Sequence, residues 1–411
     1  MLKLEPWRRN LYAVAIAQFI ALGGGNLVFP FMPFYVEDLG IHDKGQIALW
    51  SGLLGTATGS MLFIFSPIWG NLADRFGRKP VLLRAYVGAM VTMTLQGLAQ
   101  NVWQLLFLRA LQGVFVGTIP AATALIASST PRDRIAYSLG ILQMGLFSSQ
   151  FVGPLAGGVL ASAIGFRPTF LATGAFYLVS FLLVYLLVEE RFVRPTDEER
   201  GTFLGNVRLV VDRRPLLLLI GIIFFINAAP SFSRPIIPLV IDSFDPRANA
   251  KLLSGVAFAA LAATSAVAAL VSSRVSERLG FRNTLGLAMM CAGAAYLPVA
   301  VAGNVPSLIL LFAVVGVFSG GMVPTANALI DSWTPHGRQA SVFGLSGSSM
   351  ALAFAIAPLS GGAVASALGI QAAFVVIGLV TLIVGVAVLA FVRQPNADEA
   401  RLPATAGGPV D

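Results

Sequence analysis

The chain has 411 residues, of which 56% are hydrophobic and 11% are charged. Soluble domains are about half apolar and about a quarter charged, so this composition excludes a water-soluble protein. The net charge of +8 is spread over short segments between apolar runs, which argues against a nucleic-acid-binding surface and for a role of the basic residues in membrane topology.

Apolar runs of membrane-spanning length recur along the whole chain and predict an all-α membrane protein with twelve transmembrane helices. The first run lacks a small-residue cleavage site, so it is interpreted as a span and not as a removed signal peptide. Predicted spans 1 to 6 are 11–36, 47–69, 80–99, 103–127, 137–163 and 168–188. Predicted spans 7 to 12 are 215–240, 251–274, 284–302, 306–331, 340–366 and 371–392.

A long hydrophilic stretch near the centre of the chain divides the spans into two groups of six. We therefore expect a six-helix bundle over residues 1–188, a cytoplasmic linker over 189–214, a second bundle over 215–392 and a cytoplasmic tail over 393–411. If the N-terminus is cytoplasmic, only four of the 27 Lys and Arg residues fall in outer loops: Lys44, Arg167, Arg247 and Lys251. This bias predicts that both termini are cytoplasmic.

The two groups of spans are an internal repeat with an offset of 203 to 205 residues. The segment "PFMPFYVED" from Pro30 matches "PIIPLVID" from Pro235, and "GVFVGTIP" from Gly113 matches "GVFSGGMVP" from Gly316. Both copies begin in the same orientation, because six spans separate them. Such parallel repeats predict two bundles related by a pseudo-two-fold axis along the membrane normal, with a substrate site between them.

Spans 5 and 11 carry a small residue at every fourth position and a proline in the same turn. Such a stripe lets another helix backbone approach closely, and a proline can bend the helix. Its duplication favours helices that tilt or slide against each other, with simple tight packing as the alternative. The predicted packing-motif residues are Gly145, Gly153, Pro154, Gly157, Gly158, Pro358, Gly361 and Gly362.

The segment "GNLADRFGRKP", residues 70–80, concentrates charge between two apolar spans. It resembles the signature loop of the major facilitator superfamily. "RALQGVFVG" from Arg109 resembles the fourth-span motif of the drug:proton antiporter branch, "GPLAGG" from Gly153 resembles its fifth-span motif, and "PFMPFYVEDLG" from Pro30 is similar to its first-span motif. The resemblance extends from about Leu11 to Val392.

The resemblance implies a monomeric secondary transporter of the bacterial inner membrane that exports lipophilic small molecules by proton antiport with alternating access. It needs a proton gradient and no cofactor. It also implies that Asp74 holds the cytoplasmic ends of the bundles together, near the N-terminus of span 11, in the outward-facing state. The basic residues of the segment would pair with acids and anionic lipid, while Gly70 and Gly77 would allow the chain to reverse. The predicted gating residues are Gly70, Asp74, Arg75, Gly77, Arg78 and Lys79.

Two arginines lie within predicted spans: Arg109 in span 4 and Arg234 in span 7. The repeat places Phe312 and Phe29 at the equivalent positions, so the fold itself does not require charge there. An ionisable residue within a span indicates a functional site, and snorkelling to the interface is the alternative.

No Asp or Glu lies near the middle of any predicted span, in contrast to many proton-coupled relatives. We expect Glu37 with Arg109 to form a proton relay, although the acid equivalent to Glu37 in the repeat, Asp242, favours a structural role. Asp331 ends span 10 and is an alternative gate. The predicted proton-coupling residues are Glu37, Arg109, Asp242, Arg234 and Asp331.

Amide side chains are the expected polar points of a mostly apolar cavity, and an interhelical hydrogen bond is the alternative for each of them. They are Gln18, Asn26, Gln143, Gln150, Asn227 and Asn327. The sequence contains no metal-ligand spacing, nucleophile–base constellation or phosphate-binding loop, so we do not expect an enzyme. Two alternatives stay open: an exporter of a sugar, metabolite or lipid, and a membrane sensor without transport.

Overall fold

A computed structural model describes residues 5–190, 213–244, 249–334 and 339–392, except the side chains of Asp74, Arg132, Ala136 and residues 339–341. Spans 1 to 6 comprise Pro6–Asn26 with Phe29–Phe31 and Met32–Asp38; Lys44–Phe76; Arg78–Gly97; Val102–Phe115 with Thr118–Ser129; Ile135–Ile164; and Phe166–Leu187. Spans 7 to 12 comprise Arg214–Ser233 with Ile237–Phe244; Ala250–Leu279; Phe281–Tyr296 with Leu297–Val301; Val305–Ser319 with Met322–Trp333; Gln339–Leu368; and Ile370–Phe391. We call spans 1–6 the first half and spans 7–12 the second half.

The structure confirms the predicted all-α membrane fold. In the described part of the chain, 11 helical segments are long and apolar enough to cross a membrane. Span 3 is less apolar than the others, because Arg78, Lys79 and Arg84 occupy its first two turns. Since the number of spans is even, span 1 begins and span 12 ends on the same side of the molecule, which we call the terminal face. The other side is the opposite face.

Four spans start with an Asp or Asn whose side chain caps the helix. The Asp43 carboxylate accepts a hydrogen bond from the Gln46 amide at 2.8 Å, and Asn101, Asn249 and Asn304 cap spans 4, 8 and 10 in the same way. An N-cap satisfies one of the free amides of the first turn, typically contributing about 1 kcal/mol. All four caps lie at the opposite face, where each of these spans begins.

Spans 2 and 8 continue as helices to Phe76 and Leu279, beyond their predicted ends at 69 and 274. Each then turns at a single glycine in the left-handed region, Gly77 with φ of 100° and Gly280 with φ of 80°. A side chain is strained at such angles, which explains the glycines. The expectation that Gly70 also belongs to the turn is wrong, because Gly70 lies inside the helix of span 2.

Spans 1, 4, 7 and 10 are each broken into two helices, whereas the sequence predicted continuous spans. A proline lies in the first turn of the second helix in every case: Pro33, Pro120, Pro238 and Pro324. Proline is tolerated in the first turn of a helix and disrupts the interior, so it favours a break just before it. Broken helices recur in transporters where a substrate site is built.

The small-residue stripes pack helices within each half. A Cβ on Gly153 would lie 2.7 Å from the Gly23 carbonyl oxygen of span 1, and a Cβ on Gly157 would overlap the Leu27 carbonyl. In the second half, the Ser349 hydroxyl donates to the Ile220 carbonyl of span 7 at 2.8 Å. Span 5 is thereby held against span 1, and span 11 against span 7.

A second face of spans 5 and 11 joins the two halves. Span 2 packs on span 11 and span 5 packs on span 8. The Pro358 carbonyl lies where a Cβ on Gly52 would be, and the Pro154 carbonyl oxygen would be 2.6 Å from a Cβ on Gly255. Pro154 and Pro358 therefore mark contacts between the halves, while Gly153 and Gly157 pack within the first half.

The contacts between spans 2 and 11 occupy the opposite-face half of these helices, from Gly362 against the Ala48 carbonyl to Gly59 against the Phe354 carbonyl. Gly70 is five helical turns beyond Gly52 on the same side of span 2, yet no atom would contact a Cβ there within 4 Å. Gly347, three turns before Pro358 on span 11, is equally free. The facing surfaces of spans 2 and 11 thus touch at the opposite face and are apart at the terminal face.

The predicted linker lies almost entirely outside the described residues, as does the predicted tail after Val392. The division of the chain at 188 and 215 therefore stays a prediction.

A bulky residue at Gly52 is expected to disfavour this conformation, because its side chain would overlap the Pro358 carbonyl. Overpacking of this kind costs about 1–3 kcal/mol. Spin labels at His42→Cys and Ser243→Cys, in a Cys291→Ala background, report the separation of the halves at the opposite face. We expect Gly52→Leu to lengthen this distance, measured by double electron–electron resonance.

Gly347→Leu is expected to enrich the short distance instead, because its side chain has space here and would obstruct closure of the terminal-face ends of spans 2 and 11. Gly221→Leu, on span 7 with no atom within 4 Å of its Cβ, is the matched control. The same distance distribution for Gly52→Leu and Gly221→Leu would contradict the interpretation.

Candidate functional site

Polar contacts between the halves close the opposite face. The Lys44 ammonium lies 3.4 Å from the Asp242 carboxylate, and the Ser162 hydroxyl donates to the Asn249 side-chain oxygen at 2.7 Å. The Lys251 ammonium sits 4.2 Å from the centre of the Phe166 ring. Asp242, predicted to couple protons, is therefore part of this closure.

Arg234 contacts the aromatic ring at its own repeat-equivalent position. Its guanidinium carbon is 4.6 Å from the centre of the Phe29 ring, on span 1 of the other half. Two equivalent positions meet only close to the axis that relates the halves. The pair therefore lies near the pseudo-two-fold axis, and the guanidinium is stabilised by the ring.

Arg109 lies in a polar cluster inside the first half. Its guanidinium contacts the Gln112 side-chain oxygen at 3.4 Å and the Met32 sulfur at 3.5 Å, and Gln96 donates to the same Gln112 oxygen at 3.1 Å. Arg109 is only 7% exposed, and its Nε has no partner in the described structure. A cation so buried without a carboxylate is costly, which supports a functional reason for its presence.

The structure does not bring Glu37 and Arg109 together. Glu37 is exposed in the last turn of span 1, and the ion pairs found among the described residues do not include either Glu37 or Arg109. Asp331 is exposed at the terminal-face end of span 10. Of the predicted proton-coupling acids, Asp242 alone has a described ionic partner.

Three of the predicted cavity amides hydrogen-bond to helix backbone. Gln18 donates to the Thr118 carbonyl at 2.9 Å, directly after the break in span 4, and Asn26 donates to the Ser149 carbonyl of span 5 at 3.4 Å. Asn227 donates to the Ile223 carbonyl of its own helix. Asn327 is half-buried on span 10. Gln18 and Asn26 thus hold span 1 against its neighbours.

Gln143 and Gln150 lie on the side of span 5 that faces the second half. Pro154 and Gly158 of the same helix contact span 8. Gln150 is four residues and Gln143 eleven residues before Pro154, so helical periodicity places them on the same side nearer the terminal face. Both are exposed. They therefore line the space between the halves.

The segment between spans 2 and 3 is bound to the end of span 6. The Glu190 carboxylate accepts hydrogen bonds from the amides of Arg78 and Lys79, each at 2.8 Å, at the start of span 3. The Lys79 ammonium donates in return to the Val188 carbonyl at 2.7 Å. A carboxylate at a helix N-terminus and a cation at a C-terminus both complement the helix dipole.

Sequence reasoning missed Glu190. The only signal in the sequence is an acid close after the apolar span 6; its contact with Arg78 and Lys79 at the start of span 3 is visible in the structure alone. The Arg75 guanidinium lies 5.3 Å from the centre of the neighbouring Phe76 ring. The Asp74 side chain lies outside the described part of the chain.

The Major Facilitator Superfamily model matches residues 14–263 and 231–410. The chain belongs to the major facilitator superfamily. This facilitator is 34% identical to the Multidrug resistance protein MdtG of Salmonella typhi over 381 residues, covering 92% of this chain and 93% of that protein. MdtG of Salmonella arizonae matches with the same identity and coverage.

Solved structures of other transporters share the fold of this facilitator. A bacterial homolog of the human lysosomal transporter Spinster, in an inward-facing and occupied conformation, has a TM-score of 0.79 at 15% identity, over 98% of this chain and 100% of that one. The human organic anion transporter MFSD10 has a TM-score of 0.68 at 18% identity, over 94% and 100%. These likenesses establish the two-bundle fold of twelve helices.

Reversing the Lys44–Asp242 pair is expected to test the closure of the opposite face. Lys44→Asp alone places two acids together and should lengthen the His42–Ser243 spin-label distance, whereas Lys44→Asp with Asp242→Lys should restore it. Both side chains are at least one-third exposed, so we expect a population change of at most about fivefold, smaller at high salt. Equal effects of the single and the double variant would exclude an ionic contribution.

Proposed function

We propose that the protein is a secondary transporter that exports lipophilic small molecules by proton antiport with alternating access. The observation that carries the mechanism is the pair of helix surfaces, on spans 2 and 11, that touch along their opposite-face half only. Gly52 is packed against span 11, while Gly70 and Gly347, on the same sides of spans 2 and 11, are free. The surfaces suit a second arrangement in which the terminal-face ends close and the opposite-face ends open.

The proposed cargo follows from the relative and from the walls of the cavity. MdtG is named a multidrug resistance protein, and it covers nearly the whole chain. The exposed side of span 5 combines the amides of Gln143 and Gln150 with the apolar ring of Phe147. Apolar, flexible walls with few polar points suit varied lipophilic compounds.

We propose that the terminal face is cytoplasmic and that the described conformation is inward-facing. The excess of basic residues in the loops of the terminal face supports this orientation. The transporter would then lie in the bacterial inner membrane as a monomer, with both termini cytoplasmic and the linker joining the two bundles on the cytoplasmic side.

The gating role of Asp74 is proposed for the outward-facing state. Closure of the terminal face would bring the end of span 2 towards the N-terminus of span 11, where a carboxylate complements the helix dipole. Glu190 holds the amides of Arg78 and Lys79 and so fixes the start of span 3. The segment between spans 2 and 3 would thereby move together with the end of span 6.

Proton coupling through Glu37 and Arg109 is also a proposal. In the described conformation Arg109 is buried beside Gln112 and Glu37 is exposed at the opposite face. An approach of the two would need the outward-facing state, in which the opposite face opens. Competition between a proton and the Arg109 guanidinium for one carboxylate is the physical basis of the proposed coupling.

Expressing cells are expected to accumulate less of a fluorescent lipophilic cation than cells without the protein. An uncoupler should abolish the difference, because it removes the proton gradient that drives export. Dye fluorescence with and without the uncoupler is the measurement. A difference between the two kinds of cell that persists with the uncoupler would exclude proton antiport.

Two variants separate transport from expression in this assay. Asp74→Asn is expected to insert normally and to export poorly, because the outward-facing state loses its closing contact. Gly347→Leu should also insert normally and export poorly, because it favours the described conformation. Normal export by both would overturn alternating access by these surfaces.

Glu37→Gln is expected to abolish dye export driven by an imposed pH gradient in vesicles. Asp38→Asn is the matched control, because Asp38 is the next residue and is also exposed. The initial rate of dye movement with the gradient is the measurement. A rate of Glu37→Gln equal to that of Asp38→Asn would remove Glu37 from the coupling scheme.

A further inference from the structure

The two halves differ at a place where the repeat would make them alike. In the first half, two large side chains fill the seam between spans 2, 3 and 4. The Arg84 guanidinium carbon is 3.3 Å from the centre of the Trp69 ring, and the Trp69 indole donates to the Val114 carbonyl at 2.6 Å. Phe115 covers Gly88 so closely that a Cβ would overlap its ring.

The equivalent seam of the second half is a groove. At an offset of 203 residues, Trp69 is replaced by Ser272, Arg84 by Leu287 and Gly88 by Cys291, while Phe115 keeps its aromatic ring as Phe318. These four residues line a cavity of about 580 Å³ between spans 8, 9 and 10. Loss of the indole and the guanidinium leaves a volume within the usual range of a ligand pocket.

This groove opens sideways, towards the hydrocarbon of the membrane. Val267, Leu279 and Leu287 line it and are 63%, 49% and 43% exposed. Its other walls are mostly aliphatic, with only hydroxyl and thiol groups for polarity. Water finds few hydrogen-bond partners on such walls, so they suit a hydrocarbon chain as the ligand.

Two arginines border the groove at its terminal-face end. Arg278, seven residues after Val271, lies on the same side of span 8 and between the lining residues Val275 and Leu279 along the chain. Arg274, three residues after Val271, lies at the edge of this side, and both arginines are exposed. The ion pairs of the described residues do not include them. Glu277 is turned by about 100° from Arg278 around the helix, away from the groove. Arg282, nearby on span 9, already donates to the Leu389 carbonyl.

We propose that this groove binds an acyl chain of an anionic phospholipid, with the phosphate of the lipid at Arg274 and Arg278. The apolar length of the groove and the pair of cations at one end match the two parts of such a lipid. The first half offers no equivalent site, because Trp69 and Arg84 occupy it. The proposal does not depend on transport.

A second groove shows why the arginines decide the ligand. Trp50 and Trp103 pack edge to face at 4.7 Å in the first half, and their equivalents, Leu253 and Pro306, line a cavity of about 740 Å³. The nearest described cation on span 8, Lys251, lies over the Phe166 ring. Within the described part of the chain this groove is mostly apolar and shows no free cation, so we assign it no headgroup preference.

Native mass spectrometry of the purified full chain, titrated with phosphatidylglycerol or phosphatidylcholine, tests the proposal. We expect tighter binding of phosphatidylglycerol. Arg274→Gln with Arg278→Gln should weaken that binding about fivefold for each arginine removed. Arg213→Gln with Arg214→Gln is the matched control, because these arginines are exposed at the same face and lie away from the groove. The control substitutions should change the binding of phosphatidylglycerol little.

Filling the groove is an independent test. Cys291→Trp should remove the tight phosphatidylglycerol site, whereas Val386→Trp, at an exposed position of span 12, should leave it unchanged. Equal binding of the two lipids, or equal effects of the two arginine pairs, would overturn the proposal. A second copy of this chain, or a helix of another protein, found bound in the groove in place of the lipid would also overturn the proposal. Dye export serves as a separate readout, so failure of lipid binding is distinguishable from failure of transport.

Discussion

Contact between glycines and the backbone of the facing helix is the constraint on which the arrangement of the halves depends. At Gly52 and Gly255 the facing carbonyls of Pro358 and Pro154 lie where a side chain would begin. Such contacts cannot be relaxed by a change of rotamer, so the surfaces are either in contact or apart. The polar pairs at the opposite face, such as Lys44 with Asp242, are partly exposed and add only a bias.

The fold was largely predictable from the sequence. Hydropathy reports which segments lie in the membrane, and the internal repeat reports that one six-helix bundle was duplicated. Helix continuity was harder. Hydropathy indicates which residues lie in the hydrocarbon of the membrane and not where a helix ends. It therefore ended span 2 at 69, although the polar residues up to Phe76 remain helical. It also joined the two parts of span 4, although Pro120 signalled a new helix after Gly117.

The site was less predictable, because most of its contacts depend on how distant spans meet. The pairing of Arg109 with Gln112 is a contact between residues three apart on one helix and could be deduced from spacing. The contact of Arg234 with Phe29 needs the position of the repeat axis. Glu190 needs the end of span 6 to lie beside the start of span 3, which spacing alone does not reveal.

The single-residue corners at Gly77 and Gly280 have a mechanical consequence. With one residue between consecutive helices, spans 2 and 3 cannot slip lengthwise past each other, and neither can spans 8 and 9. Each hairpin is therefore stiff, and span 2 packs on span 11 along its opposite-face half, as far as Gly59. An inward tilt of the free terminal-face half must move the other half away from span 11, so the two faces cannot be closed by independent movements.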